Sequence, residues 1–144
     1  ILHKNDRQVL VGYADSDWGT DAETRRSVTG YLLLVNNSPV PWRSKLQGLV
    51  FLSSSEVEWT AMAHGMCHCI YIRGILGELV QDATPWYCDN RGAIQASSIT
   101  GFNGRTKHVD MKLKCTREYV EKDLFNIQYV STTKQLADIL TKRL

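Results

Sequence analysis

Residues Val9 to Ala14 read Val-Leu-Val-Gly-Tyr-Ala, and Asp15 follows at once. A run so short and so nearly apolar suits a strand buried on both faces at the centre of a sheet. Asp15 then lies just past that strand's carboxyl end. In open α/β sheets, ligand sites form at the carboxyl ends of adjacent parallel strands, near a topological switch.

The remaining elements fit around that strand. Asp15 to Arg26 is polar and reads as a loop, and Val28 to Val35 is a second strand. After the turn Asn36-Asn37-Ser38-Pro39, Val40 to Lys45 returns as a third, antiparallel strand, with Pro41 favouring a sheet edge. Ser53 with Glu56, or Ser55 with Glu58, has capping-box spacing and opens a long helix to about Val80. The apolar stripe of that helix is Val57, Ala61, Met62, Met66, Cys69, Ile72, Leu76 and Leu79. Thr84 to Cys88 is a fourth strand stopping at Asp89, and Gly92 to Ser98 a short helix. Gly101 to Gly104 breaks the chain, His108 to Lys122 is a helix, and Leu124 to Val130 a fifth strand. Ser131-Thr132-Thr133 opens a last helix, with Thr132 and Gln135 at capping spacing. Hairpins first and α/β crossovers later predict an α/β fold with a mixed sheet covered by helices.

The 144 residues are 43% hydrophobic and 22% charged. This is globular composition at the size of one domain, and one domain is expected over residues 1–144. A disordered chain, a collagen-like rod and a coiled coil are excluded. The net charge of +2 permits a nucleic-acid partner without arguing for one. Cys67, Cys69, Cys88 and Cys115 come with no signal peptide and read as reduced thiols of an intracellular protein. No apolar run approaches the ~18 residues of a membrane span. The chain starts at Ile1, not Met, and reads as a segment of something longer.

Four carboxylates fall on different elements yet at one end of this layout. Asp15 and Asp89 follow the first and fourth strands, Glu58 sits in the first turn of the long helix, and Asp138 opens the last one. Like charges so gathered are forced toward protonation unless cations sit among them. All-oxygen ligands favour a hard ion, Mg²⁺ or Mn²⁺. Two such ions ~4 Å apart can activate a water and stabilise the leaving oxygen of a phosphodiester.

Several strings carry a family signature. They are Gly12-Tyr13-Ala14-Asp15-Ser16-Asp17-Trp18, Arg25-Arg26-Ser27-Val28-Thr29-Gly30-Tyr31 and Ser53-Ser54-Ser55-Glu56-Val57-Glu58-Trp59. Tyr87-Cys88-Asp89-Asn90, Arg105-Thr106-Lys107-His108-Val109-Asp110 and Gln135-Leu136-Ala137-Asp138-Ile139-Leu140-Thr141-Lys142 follow. In this order and spacing, from about Val11 onward, the chain resembles the ribonuclease H domain of Ty1/copia-type LTR retrotransposon Pol polyproteins.

The resemblance implies a ribonuclease H-like fold. Strands 1–3 would be antiparallel and strands 4 and 5 parallel to strand 1, with helices on both faces. It implies an endonuclease that cuts the RNA strand of an RNA/DNA hybrid, with Asp15, Glu58, Asp89 and Asp138 as catalytic and metal-binding residues. One Mg²⁺ would rest mainly on Asp15 and Asp89 with Asp138, and a second on Asp15 and Glu58, with Mn²⁺ a substitute. Products would carry 5′-phosphate and 3′-hydroxyl ends. The implied partner is an upstream reverse transcriptase domain, with residues 1–8 as the end of the connection. The implied location is cytoplasmic, in a virus-like particle. Two departures stand out. The histidine that many cellular ribonucleases H carry before the last helix is missing from Ser131 to Lys134. Lys142-Arg143-Leu144 also stands where Lys-Pro-Leu is expected.

Ser53, Ser54, Ser55 and Asn90 are candidate contacts to 2′-hydroxyls in the hybrid's shallow minor groove. Plain capping and turn chemistry is the alternative. Arg105 and Lys107, with Lys112, Lys114 and Arg117, are candidates for the phosphate backbone. A solvated helix face interleaved with Glu118 and Glu121 is their alternative. His64, Cys67, His68 and Cys69 mimic a zinc cluster but lack ligands from a second element, so buried Cys with surface His is preferred. Trp18, Trp42, Trp59 and Trp86 read as core or sheet-packing residues, with Trp59, beside Glu58, the one to test for base stacking. The rival function is a catalytically weak or host-captured copy of the fold that binds nucleic acid or protein. A decayed copy has no reason to keep four acids. An integrase-like strand-transfer domain would use three acids at other spacings.

Overall fold

The computed structural model describes residues 9–19, 21–48, 50–51, 53–98 and 107–142, with the side chains of 96–98, 107–110 and 112–113 outside that description. The expected connection at residues 1–8 therefore lies outside the described residues, as do Arg105 and the side chain of Lys107.

Five strands form one sheet: β1 (Leu10–Asp17), β2 (Val28–Val35), β3 (Ser38–Leu46), β4 (Thr84–Cys88) and β5 (Phe125–Tyr129). Their order across the sheet is β3-β2-β1-β4-β5. β1 to β3 are antiparallel, and β4 and β5 run parallel to β1, as the resemblance implies. The β2–β3 hairpin turns on Asn36 and Asn37, both at positive φ, which a two-residue turn of this hand requires. β3, with its Pro41, is an edge strand.

β1 runs two residues beyond Asp15. Its ladder to β2 continues from Leu10↔Val35 through Asp15↔Gly30 to Asp17↔Val28, so Asp15 lies inside the strand and not just past it. The parallel pairing to β4 is far shorter, Gly12↔Trp86 and Tyr13↔Tyr87. Beyond these pairs β1 and β4 part, and the carboxyl ends of both strands open onto the gap.

Among the described residues three α-helices follow: α1 (Ser54–Leu76), α2 (Arg91–Ser98) and α3 (Lys107–Glu121). Ser53 caps α1, its hydroxyl accepting from the Glu56 backbone N–H at 3.2 Å. A short 3-10 turn, Gly77–Leu79, carries α1 on to Val80. Val57, Ala61, Met62, Met66 and Cys69 are buried as the stripe predicts. The core joins these to Leu10, Ala14, Tyr31, Leu33, Trp86 and Phe125.

Trp86 fixes how closely β1, β4 and α1 approach. Its indole is fully buried, and a Cβ at Gly12 would lie 2.1 Å from the ring and one at Gly65 2.6 Å from it. The two glycines are the slot that admits it. Trp59 is buried as well, which removes it as a base-stacking platform. The tryptophans divide against expectation: Trp18 and Trp42 are 51% and 61% exposed, because one sits in the β1–β2 connection and the other on the edge strand.

The expected last α-helix is instead two 3-10 turns, Thr132–Lys134 and Leu136–Leu140. Gln135 between them is extended and breaks the run. The second turn covers the sheet face opposite α1. Tyr31 points at Gly65 of α1, whereas a Cβ on its neighbour Gly30 would meet Leu140 and Thr141. Among the described residues no helix is long and apolar enough to cross a membrane.

Candidate active site

Adjacent residues of a strand point to opposite faces, and β1 uses this at its open end. Asp15 faces the Leu136–Leu140 turn. It is 4% exposed, and its Oδ2 accepts from the Thr141 hydroxyl. Ser16 faces α1 and holds Glu58: Glu58 Oε1 accepts from the Ser16 backbone N–H at 3.0 Å and from its hydroxyl at 2.7 Å. Glu58 lies in the second turn of α1, one turn later than expected, and is 5% exposed. Its other oxygen, Oε2, is buried with no hydrogen-bond partner among the described residues.

Asp89 follows β4 directly. Glu58, Cys88 and Asp89 offer ligand atoms within 4.8 Å of one another. Cys88 is a poor member of that set. Burial pushes its thiol pKa up, and its sulfur is already engaged by the Asn90 N–H at 3.4 Å. Asp138 sits in the last turn, half-buried, with Lys142 Nζ 2.6 Å from its Oδ1 and 2.8 Å from its Oδ2.

The electrostatics tie the four acids together. Burial raises the Glu58 pKa to about 8; Ser16 opposes the shift, and Asp15 and Asp89 add to it. Burial likewise raises Asp15 to about 6; Thr141 opposes it, and Asp89 and Asp138 add to it. Glu58 and Asp15 thus feel the neighbouring carboxylates, as buried members of an acidic cluster must. Crowded oxygen donors, one of them buried and unpartnered, fit hard divalent cations.

The candidate contacts to substrate gather beside these acids. Ser54 is exposed at the start of α1. Ser55 Oγ donates to Asn90 Oδ1 at 3.3 Å, and the same oxygen caps α2 by accepting from the Ala93 N–H at 2.9 Å. A Cβ on Gly92 would lie 2.6 Å from Ser55 Oγ, so glycine there lets the two helix starts meet. Capping is therefore real for Ser53 and Asn90. The zinc-like string is scattered: Cys69 is buried, Cys67 exposed, and the His68 ring is bonded to the Tyr31 hydroxyl. Ser16 and Thr141 lie within the signature strings, where nothing in the local sequence marks a role for them. Their function as orienters depends on contacts 42 and 126 residues apart, which local spacing does not reveal.

No protein-family model matches the chain. It is 35% identical over 136 residues, 93% of its length, to the retrovirus-related Pol polyprotein from transposon TNT 1-94 of Nicotiana tabacum. It is 35% identical over its whole length to that from transposon RE2 of Arabidopsis thaliana. The chain spans about a tenth of each of these relatives. Among solved structures, the N-terminal RNase H domain of a Mycobacterium tuberculosis protein superposes with a TM-score of 0.63 at 14% identity, over 92% of this chain and 89% of that one. The foamy viral protease-reverse transcriptase in complex with RNA/DNA hybrid superposes with a TM-score of 0.61 at 13% identity, over 94% of this chain and 20% of that one.

Proposed function

The chain is a ribonuclease H-fold domain related to the Pol polyproteins of plant copia-type transposons, and from that kinship we propose that it is a metal-dependent endoribonuclease cutting the RNA strand of RNA/DNA hybrids during reverse transcription. The observation that carries the reading is Glu58 Oε2, a buried carboxylate oxygen without a partner, beside Asp89 and under the influence of Asp15. Such an oxygen is costly unless a proton or a cation completes it, and the raised pKa shows how readily it takes up positive charge. Asp15, Asp89 and Asp138 would hold one Mg²⁺, and Asp15 with Glu58 the other; when bound, the pair supplies an activated water and charge stabilisation at the leaving 3′ oxygen.

The chain's own residues set the stage. Ser16 clamps one oxygen of Glu58 and leaves the other facing the site. Thr141 orients Asp15 from the opposite face. Lys142 neutralises Asp138 and stays exposed, free to move toward a phosphate. Ser53, Ser54, Ser55 and Asn90, at the starts of α1 and α2, present small polar groups suited to 2′-hydroxyls. Arg105 and Lys107 would contact the phosphate backbone. The products would end in 5′-phosphate and 3′-hydroxyl groups. The natural partner would be a reverse transcriptase domain of the same polyprotein, in a cytoplasmic virus-like particle. The likeness in fold to a fifth of the foamy viral protease-reverse transcriptase, solved in complex with RNA/DNA hybrid, supports that reading.

An end-labelled RNA/DNA hybrid, with and without Mg²⁺ or Mn²⁺, tests the proposal beside an Asp89→Asn variant. Metal-dependent cutting of RNA alone, lost in the variant, is the expected result. Hybrid binding without cutting, not restored by the upstream domain, would turn the reading toward a binding module.

A further inference from the structure

Gln135 is a buried polar side chain at the break between the two 3-10 turns that stand in place of a continuous α-helix. Its Nε2 donates to the Ala14 carbonyl of β1 at 2.8 Å and points to the Tyr87 carbonyl of β4 at 3.4 Å. Its Oε1 accepts from the Ala137 N–H at 3.2 Å, which fixes the amide orientation. Ala14 precedes Asp15, Tyr87 lies two residues before Asp89, and Ala137 precedes Asp138. The backbone pairing of β1 with β4 ends at Tyr13↔Tyr87, where this side chain begins to span the two strands.

We propose that Gln135 is a positioning residue: one amide bridges the fork between β1 and β4 and ties the last turn to it, setting the spacing of Asp15, Asp89 and Asp138. The inference rests on the metal-dependent reading of these acids. Two amide hydrogens meet two carbonyls, and one amide oxygen meets one N–H, so both polar atoms, Nε2 and Oε1, are engaged. A side chain with apolar atoms in the same volume fills the space but leaves both carbonyls without that donor. Groups that orient metal ligands from behind typically govern metal affinity or turnover by about 10–100-fold. Gln135 touches no reacting atom, so its effect has to pass through the carboxylates.

Gln135→Met keeps the volume and removes both donors, and Gln135→Glu keeps the shape but can donate one hydrogen at most. The measurements are Mn²⁺ affinity by calorimetry, kcat and KM on a labelled hybrid, and thermal midpoint. Both variants are expected to bind Mn²⁺ about 10-fold more weakly and to lose kcat, about 10–100-fold, with KM for the hybrid near that of the wild type. Folded variants with wild-type Mn²⁺ affinity and kcat overturn the inference, because packing alone would move the midpoint and nothing else. A wild type that neither binds Mn²⁺ nor cuts overturns the functional reading instead. The bridge is then decided by nuclear magnetic resonance on the wild type, which also serves if both variants fail to fold. Two slowly exchanging Gln135 amide protons are expected, and a freely rotating amide in fast exchange overturns it.

Discussion

The Thr141 hydroxyl donates to the Asp15 carboxylate across 126 residues of chain, and both groups are buried. The same hydroxyl lies 3.1 Å from the Asp138 carbonyl, but a carboxylate is the stronger acceptor for its single hydrogen. This contact joins the end of the chain to its first strand at the acid most central to the site. It also opposes the burial that raises the Asp15 pKa.

Thr141→Val keeps the shape and removes the bond. The Asp15 pKa should rise further, because a hydrogen bond favouring the ionised form is gone. The acidic limb of Mn²⁺ binding should therefore move to higher pH. The cost in stability should be about 1.5–3 kcal/mol, the usual worth of a hydrogen bond to a charged group. Calorimetric titrations of Mn²⁺ across pH, with thermal denaturation alongside, check both. An unmoved limb would show that Thr141 does not act on Asp15.

Gly30 is the register partner of Asp15, and its bare backbone makes room for Thr141. A Cβ there would lie 2.8 Å from Leu140 Cβ and 3.1 Å from Thr141 Cγ2. Gly30→Ala should lift the last turn off β2 and separate Thr141 from Asp15. Adding Thr141→Val should then cost little more, since both changes break one contact. A double-mutant cycle on metal affinity measures this, and simple additivity would refute it.

The central strand and the four acids were readable because each leaves a local mark: an apolar run, or a carboxylate at a strand end or helix start. The true end of β1 left none. Asp15, Ser16 and Asp17 look like loop, yet the ladder to β2 holds them in the strand. Functional ends of strands break the hydrophobic pattern in this way. The last helix misled for a related reason. Thr132 and Gln135 have capping spacing, but the Gln135 amide is spent on Ala14, 121 residues away. The tryptophans show the same limit. What buries Trp86 and leaves Trp42 exposed is the pair of glycines facing one ring and the sheet edge under the other.

Trp86 in its glycine slot predicts a strict size limit. Gly12→Ala places a methyl group 2.1 Å from the indole, inside any van der Waals contact. Overpacking of this kind costs about 1–3 kcal/mol or more. Trp86→Phe relieves the clash, so Gly12→Ala with Trp86→Phe should be less destabilised than the sum of the single changes. Urea denaturation of the four proteins decides it. Full additivity would mean that the ring and the glycine do not meet.

Glu58 sets the pH dependence of the metal-free protein. Its pKa in the fold is about 8 against an ordinary 4.5. Between these values the folded state binds more protons than the unfolded chain, so the free energy of unfolding falls as pH rises. Asp15 adds a slope of the same sign over a narrower range, between 3.8 and about 6. The metal-free midpoint should therefore drop from about pH 5 to about pH 8. Divalent cations bind the ionised carboxylates of the fold and should reverse the drop by mass action. Glu58→Gln removes the ionisable group while keeping an acceptor for Ser16. It should flatten the slope above about pH 6, where Asp15 no longer contributes, and raise the metal-free midpoint at pH 8. It should also remove much of the stabilisation by Mg²⁺. Thermal denaturation across this range, with chelator and then with Mg²⁺, measures all three effects. A wild-type profile that is flat above pH 6 would mean that Glu58 is already ionised in the fold, and that its buried oxygen is satisfied without a metal.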